Sequence, residues 1–282
     1  MKKGLILEGG AMRGMYTAGV TDVLMENNIE FDGAIGVSAG AAFGCNYKSK
    51  QPGRTIRYNK RFCNDKRFAS FSNLIKTGDL FGVDFCYHQI PEILDIFDTE
   101  TFKNSPMEFY VTCTDALSGK AIYHKCETGT GEDLEWLRAS ASMPLVANIV
   151  KIGDLHLSDG GTADSIPLKY FESLGYNKNV VILTQPEGFI KKKNQLVPIM
   201  RVFLKKYPAL VNAVATRHIR YNETLQYIKE QQMSGKIFVI QPSCPLEIGH
   251  VSHDADKLEK VYRLGRMDAE NKLCELKKFL NL

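Results

Sequence analysis

A serine hydroxyl attacks an acyl carbonyl only if a tight turn presents it with room on either side. Gly36-Val37-Ser38-Ala39-Gly40 has the composition of such a turn. Phe31 to Val37 reads as a short buried strand and Ala39 to Cys45 as the start of a small-residue helix, so Ser38 falls at a strand-to-helix junction. Free N–H groups at a helix N-terminus favour the negative charge that grows as a hydroxyl adds to a carbonyl. A Gly/Ser connector would look the same, and the pentapeptide alone does not decide between the two.

Two further stretches bear on that choice. Glu8-Gly9-Gly10-Ala11-Met12-Arg13-Gly14 sits between the first strand and the first helix. Such a turn brings backbone N–H groups close to an anion. A dinucleotide fingerprint would need glycine where Ala11 stands, and a phosphate loop would need Lys-Ser/Thr after Gly14, where the chain has Met15-Tyr16. An oxyanion hole needs only donors beside a nucleophile, and the Ser38 turn follows the very next strand. That use is favoured over a plain packing turn. In Ser158-Asp159-Gly160-Gly161 the glycines permit a tight turn and leave the Asp159 carboxylate uncrowded, although Asp-Gly is also a common turn pair.

A histidine base is the usual partner of such a serine. Strand alternation puts Leu155, Leu157 and Asp159 on one face, with His156 and Ser158 on the other. His218, His250 and His253 have no motif around them. A carboxylate can do the same work, since desolvation strengthens it as a base.

Strands and helices alternate along the chain. Strands are expected at Gly4–Leu7, Phe31–Val37, Glu108–Cys113, Ala121–His124, Leu155–Ser158, Val180–Leu183 and Ile237–Ile240. Helices are expected at Gly14–Glu26, Ala39–Tyr47, Asp133–Ser142, Ile166–Leu174 and Ala255–Phe279, with mixed helical segments over 52–100. The alternation implies an α/β fold, with a mainly parallel central sheet flanked by helices and a helical C-terminal region. Parallel strands β-to-helix turns all leave the carboxyl edge, so the glycine-rich loop and the serine turn can converge there.

Composition narrows the function classes. The 282 residues are 44% hydrophobic and 24% charged, with a net charge of +4, which is ordinary for a globular protein and gives no reason to expect nucleic-acid binding. Seven scattered cysteines without a C-x-x-C pair suggest reduced thiols, no zinc site and a cytoplasmic setting. The apolar run after Lys2-Lys3 stops at Glu8, too short for a leader peptide, and no stretch has the length of a membrane span.

Taken in order, Gly9-Gly10-Ala11-Met12-Arg13-Gly14, Gly36 to Gly40 and Asp159-Gly160-Gly161 resemble the three motifs of the patatin-like phospholipase family. The resemblance covers roughly the first 170 residues. It implies a three-layer patatin-like fold and a Ser38–Asp159 dyad without histidine, acting on lipid or other acyl esters through an acyl-enzyme. It implies an oxyanion hole from Gly9, Gly10, Ala11, Arg13 and Gly14, with Gly36, Gly40, Gly160 and Gly161 shaping the turns, and no metal or cofactor. Ala11 replaces the family's usual glycine, and would be strained if its φ had to be positive. That substitution is what supports the alternative of a weak or inactive lipid-binding or regulatory protein. Glu8 replaces the common aspartate and is expected to shape the loop.

Residues 1–185 are expected to form the catalytic core. Residues 186–282 would add a basic helical region, one further core strand and a long helix, packed on the same domain. Within 191–229, basic residues from Lys191 to Lys229 interleave with Ile199, Val202, Phe203, Leu210 and Val214. Such a surface could contact an anionic membrane, placing the protein peripherally at the inner membrane face, or it could be a solvated helix face. Gly265, inside the last helix, suggests a close helix crossing.

Overall fold

A computed structural model describes residues 1–282. In chain order the elements are β1 (Lys2–Leu7), α1 (Gly14–Glu26), β2 (Gly33–Val37), α2 (Ala39–Lys48), α3 (Arg54–Phe62) and α4 (Phe71–Thr77). A π-helix (Phe85–Leu94) precedes α5 (Thr99–Asn104), β3 (Glu108–Asp115), β4 (Ala121–Cys126) and α6 (Glu132–Ser140). Then come β5 (Val150–Ile152), β6 (Leu155–Asp159), α7 (Leu168–Ser173), β7 (Tyr176–Ile182), α8 (Val197–Phe203), α9 (Pro208–Met233), β8 (Ile237–Ile240) and α10 (Ala255–Leu280).

The eight strands form one mixed sheet. Its centre is parallel: β3, β2, β1, β7 and β8 pair in that order. The antiparallel strands β4, β5 and β6 gather at the β3 end. Alternation sorts the side chains. Leu5 and Leu7 point into a core with α1, α2 and α10, while Ile6 and Ile35 point into a second core with α7 and α9. This is the expected three-layer α/β arrangement, with the C-terminal helices on both faces.

One detail of the sheet decides where the site forms. β4 pairs with β3 along Phe109–Thr114 and so occupies one edge of that strand. β2 pairs with Glu108–Thr112 and β6 with Cys113–Asp115, without overlap. A strand has two edges, so β2 and β6 share the other one and meet head-on. Val37 lies opposite Thr112 and Asp159 opposite Cys113.

Several boundaries differ from expectation for identifiable reasons. β2 begins at Gly33 rather than Phe31, because the Asp32 carboxylate accepts from the Lys3 N–H at 2.6 Å and fixes the approach. β7 begins at Tyr176, since its polar first half pairs with the start of β1. β5 has three residues, too few to leave a periodic signal. The region after Pro208 is one unbroken 26-residue helix.

α10 packs along α1 through two small residues facing opposite backbones. A methyl at Gly265 would run into the Tyr16 carbonyl, and one at Gly19 into the Tyr262 carbonyl. Two buried hydrogen bonds span the same crossing: Tyr16 donates to Asp268 at 3.1 Å and Tyr262 to Asp22 at 2.7 Å. Gly265→Ala is therefore expected to force the helices apart and cost about 1–3 kcal/mol. Thermal denaturation should register a drop of several degrees; an unchanged midpoint would mean that the crossing has slack.

Candidate active site

Ser38 stands between β2 and α2 with φ 54° and ψ −123°, a strained backbone for a residue with a side chain. The strain is held from both sides. Methyl groups at Gly36 or Gly40 would strike the backbone of α2 or the Leu7 carbonyl. From α6, the Ser140 hydroxyl accepts from the Ser38 N–H at 2.8 Å and donates to the Thr112 carbonyl at 2.6 Å. Ser140, the last residue of α6, is the bolt that fixes the turn to β3.

Asp159 ends β6 and is buried, 6% exposed. Its Oδ1 accepts from the Gly161 N–H at 2.8 Å, and its main chain is fixed by Ser142 and Thr114. Burial pushes the carboxyl above its ordinary value. The Arg217 guanidinium opposes this most, followed by the Ser38 hydroxyl acting as a hydrogen-bond donor. Ser38 and Asp159 are thus brought together, as their junction on the edge of β3 requires. Gly161 leaves the gap that Arg217 fills: a methyl there would sit 2.9 Å from Nη2 and 3.0 Å from Asp159 Oδ1.

The glycine-rich loop folds over the serine turn. A methyl at Gly9 would lie 2.9 Å from Ser38 Cβ, and one at Gly14 would lie 2.9 Å from Ala39 Cβ. The N–H groups of Gly10 and Ala11 donate to no acceptor within the protein, which leaves them free for an incoming oxygen. Ala11 has φ 49°, in the left-handed region, at a cost of about 1–2 kcal/mol for a residue bearing Cβ. Glu8 anchors the loop from beneath, accepting from the Thr184 N–H at 2.6 Å and the Tyr221 hydroxyl at 2.5 Å. Gly160 begins the turn after Asp159 and packs on the Thr112 carbonyl.

On one side of Ser38 opens a cavity of about 150 Å³. Its walls are mostly apolar, with Phe68, Phe81, Ile90, Leu137 and Met143 among them, so it suits a hydrocarbon chain better than a polar group. On the Asp159 side the surroundings are basic. Arg217 and Lys191 act on Asp159, Arg217 and Arg13 act on Lys191, and His250 feels all three cations. Sequence reasoning missed the turn of Lys191 and Arg217 toward Asp159, since neither carries a motif. The rest of the basic segment divides as follows: Lys192, Lys193, Arg201, Lys205 and Lys206 are exposed, while Arg220 clamps α9 to the carbonyls of Thr162 and Ala163.

No histidine hydrogen-bonds to Ser38 or Asp159. His156 contacts the Tyr207 hydroxyl and His253 the Cys63 carbonyl. Elsewhere, His124, Cys126 and Asp133 bring metal-ligand atoms together. There the Asp133 carboxylate already accepts three backbone N–H groups from the loop at 127–129, and its pKa is lowered to about 2, with the His124 hydrogen bond the largest lowering cause.

Comparison with known proteins agrees with the motif order. The family model described as patatin-like phospholipase matches residues 5–172, and a domain of unknown function (DUF6363) matches residues 207–281. The uncharacterized protein YjjU of Escherichia coli (strain K12) is 29% identical across 98% of this chain and 78% of its own length. The lysophospholipase nte1 of Aspergillus niger is 28% identical over 61% of this chain, a match that spans 11% of that protein. Among solved structures, VipD from Legionella pneumophila covers 97% of this chain and 67% of its own, with a TM-score of 0.49 and 12% identity.

The Ser140 bolt has a measurable consequence. Ser140→Ala removes the shared partner of the Ser38 N–H and the Thr112 carbonyl, at an expected cost of about 1–3 kcal/mol. Chemical denaturation should show the loss; wild-type stability would mean that the turn holds without the hydroxyl.

Proposed function

The chain belongs to the patatin-like phospholipase family, which supports lipid acyl hydrolysis in general, and we propose that it is a carboxylic-ester hydrolase working through Ser38 and Asp159. The observation that carries this reading is the head-on meeting of β2 and β6, which sets the Ser38 turn and Asp159 at adjacent positions along one edge of β3. Residues 1–185 act as the catalytic core, with 186–282 as its integral cover.

The chemistry follows from the groups present. Ser38 Oγ adds to the ester carbonyl while its proton passes to Asp159, whose burial makes it a stronger base than an aspartate in water. The N–H groups of Gly10 and Ala11, with the N-terminus of α2 and the charge of Arg13, hold the oxyanion. Collapse expels the alcohol, which takes the proton from Asp159. Water then enters, adds to the acyl carbonyl while losing a proton to the same carboxylate, and collapse releases the acid as Ser38 Oγ takes that proton back. The apolar cavity receives the acyl chain throughout.

The chain has no helix long and apolar enough to cross a membrane. Contact with lipid therefore falls to its surface, and α8 with its flanks offers the fitting one. Val202 and Phe203 are 69% and 75% exposed beside Arg201, Lys205 and Lys206, so apolar wedges sit among cations. That helix packs through Val197 and Met200 against Leu145, next to the cavity-lining residues Met143 and Val146. Phe203→Asp should weaken sedimentation with phosphatidylglycerol vesicles several-fold; equal binding would remove α8 from the lipid-facing surface.

A second reading rests on Ala11: its strained φ fits a weakly active or regulatory member. A fluorophosphonate probe separates the two, since a working site labels at Ser38 and an idle one does not.

Ser38→Ala and Asp159→Asn should each lower turnover of a medium-chain ester by roughly 10⁴-fold with the fold intact. Retained turnover in either variant refutes the dyad. A base with a raised pKa works only above that pKa, so activity should fall on the acid side at a pH above the ordinary aspartate range. Arg217→Gln removes the cation that most lowers the carboxyl, and should move that limb to still higher pH.

A further inference from the structure

The basic groups beside Asp159 form no close ion pair. Arg13 comes from the glycine-rich loop, Lys191 from the stretch after β7 and Arg217 from α9, three distant parts of the chain. None of the three forms an ion pair with a carboxylate. Arg13 Nε is buried without any hydrogen-bond partner, while its Nη2 lies against Gly10. Arg217 spends one N–H on the Ser165 hydroxyl at 3.2 Å and turns Nη2 toward Gly161. The Lys191 ammonium rests 4.4 Å from the centre of the Tyr221 ring.

The acids nearby are already engaged. Glu8 accepts from Thr184 and Tyr221, and Asp159 from Gly161. Three cations against two carboxylates leave excess positive charge among half-buried side chains, where an anion is worth more than in water. Desolvation first, and then crowding by the other cations, pushes the Lys191 ammonium down to about 8 and lowers the His250 imidazole too.

The apolar cavity reaches Ser38 without any of these groups in its walls. An ester seated on Ser38 with its acyl chain in that cavity presents its alcohol side toward the cations. No free carboxylate waits there for the ammonium of a zwitterionic head group.

We propose that Arg13, Lys191 and Arg217 form a phosphate subsite on the alcohol side of the scissile ester, selecting substrates with an anionic phosphate-monoester head group over zwitterionic or neutral ones. The assignment rests on Ser38 being the nucleophile, and makes Lys191 and Arg217, both beyond residue 172, specificity determinants.

The test compares three esters of one acyl chain: monoacylglycerol phosphate, its phosphocholine counterpart and neutral monoacylglycerol, all below their micellar concentrations. Wild type should prefer the phosphate monoester by tenfold or more in kcat/KM. Lys191→Gln should shrink that preference at least tenfold, and Lys191→Arg should keep it, which guards against misfolding as the cause. Equal kcat/KM for the three esters in wild type overturns the subsite. So does inhibition of neutral-ester hydrolysis by inorganic phosphate without any preference for the phosphate-bearing ester, because the cations would then serve a free anion. Ser38→Ala is run beside them: turnover surviving in that variant rejects the catalytic reading, whereas a Ser38-dependent enzyme blind to head group rejects only the phosphate subsite.

Discussion

The arrangement depends on one edge of one strand. β3 is long enough to carry β2 along its first half and the antiparallel β6 along its last residues. Where the two incoming strands stop, backbone pairing lapses, and Ser140 closes the gap by serving the Thr112 carbonyl and the Ser38 N–H with a single hydroxyl. An unpaired buried carbonyl costs free energy comparable to a lost hydrogen bond. The same gap lets two side chains from distant sequence face each other. Structure and chemistry therefore share a constraint: the sheet defect that must be repaired is also the place where a hydroxyl can meet a carboxylate.

A buried carboxylate would ordinarily take up a proton and stay neutral. Here Arg217 and Lys191 work against burial, and Gly161 is the small residue that lets the guanidinium approach. The cations are in turn held by the fold: α9 is clamped at Arg220, and Lys191 is fixed through paired hydrogen bonds between its backbone and Asn222. Those helices lie on sheet cores that also include β1 and β7. The electrostatics of the Asp159 carboxylate thus reach back through α9 to ordinary hydrophobic packing.

Much of this was legible in the residues. The glycine-rich loop, the serine turn and the Asp-Gly-Gly turn announce themselves because backbone chemistry restricts which residues can occupy them. Buried strands such as Val180–Leu183 announce themselves through apolar runs. The segment 191–229 was harder. Lys191, Lys192 and Lys193 are identical as letters, yet the first turns inward over Tyr221 and the others face water. Direction depends on where the chain leaves β7, a tertiary fact without a local signature. Ser140 was opaque for a related reason: its role is set by a strand ending opposite it.

Ala11 brings these threads together. Glycine would occupy that position without strain, whereas alanine costs about 1–2 kcal/mol. The cost is bearable because the loop is over-determined. Glu8 grips β7 and α9 from below, Gly9 and Gly14 pack on the serine turn, and Arg13 lies against Gly10. A loop held at that many points has little freedom to relax its alanine into another backbone region without surrendering several contacts. The strain is then a property of the assembled loop, stored beside the N–H groups of Gly10 and Ala11, which donate to no acceptor within the protein.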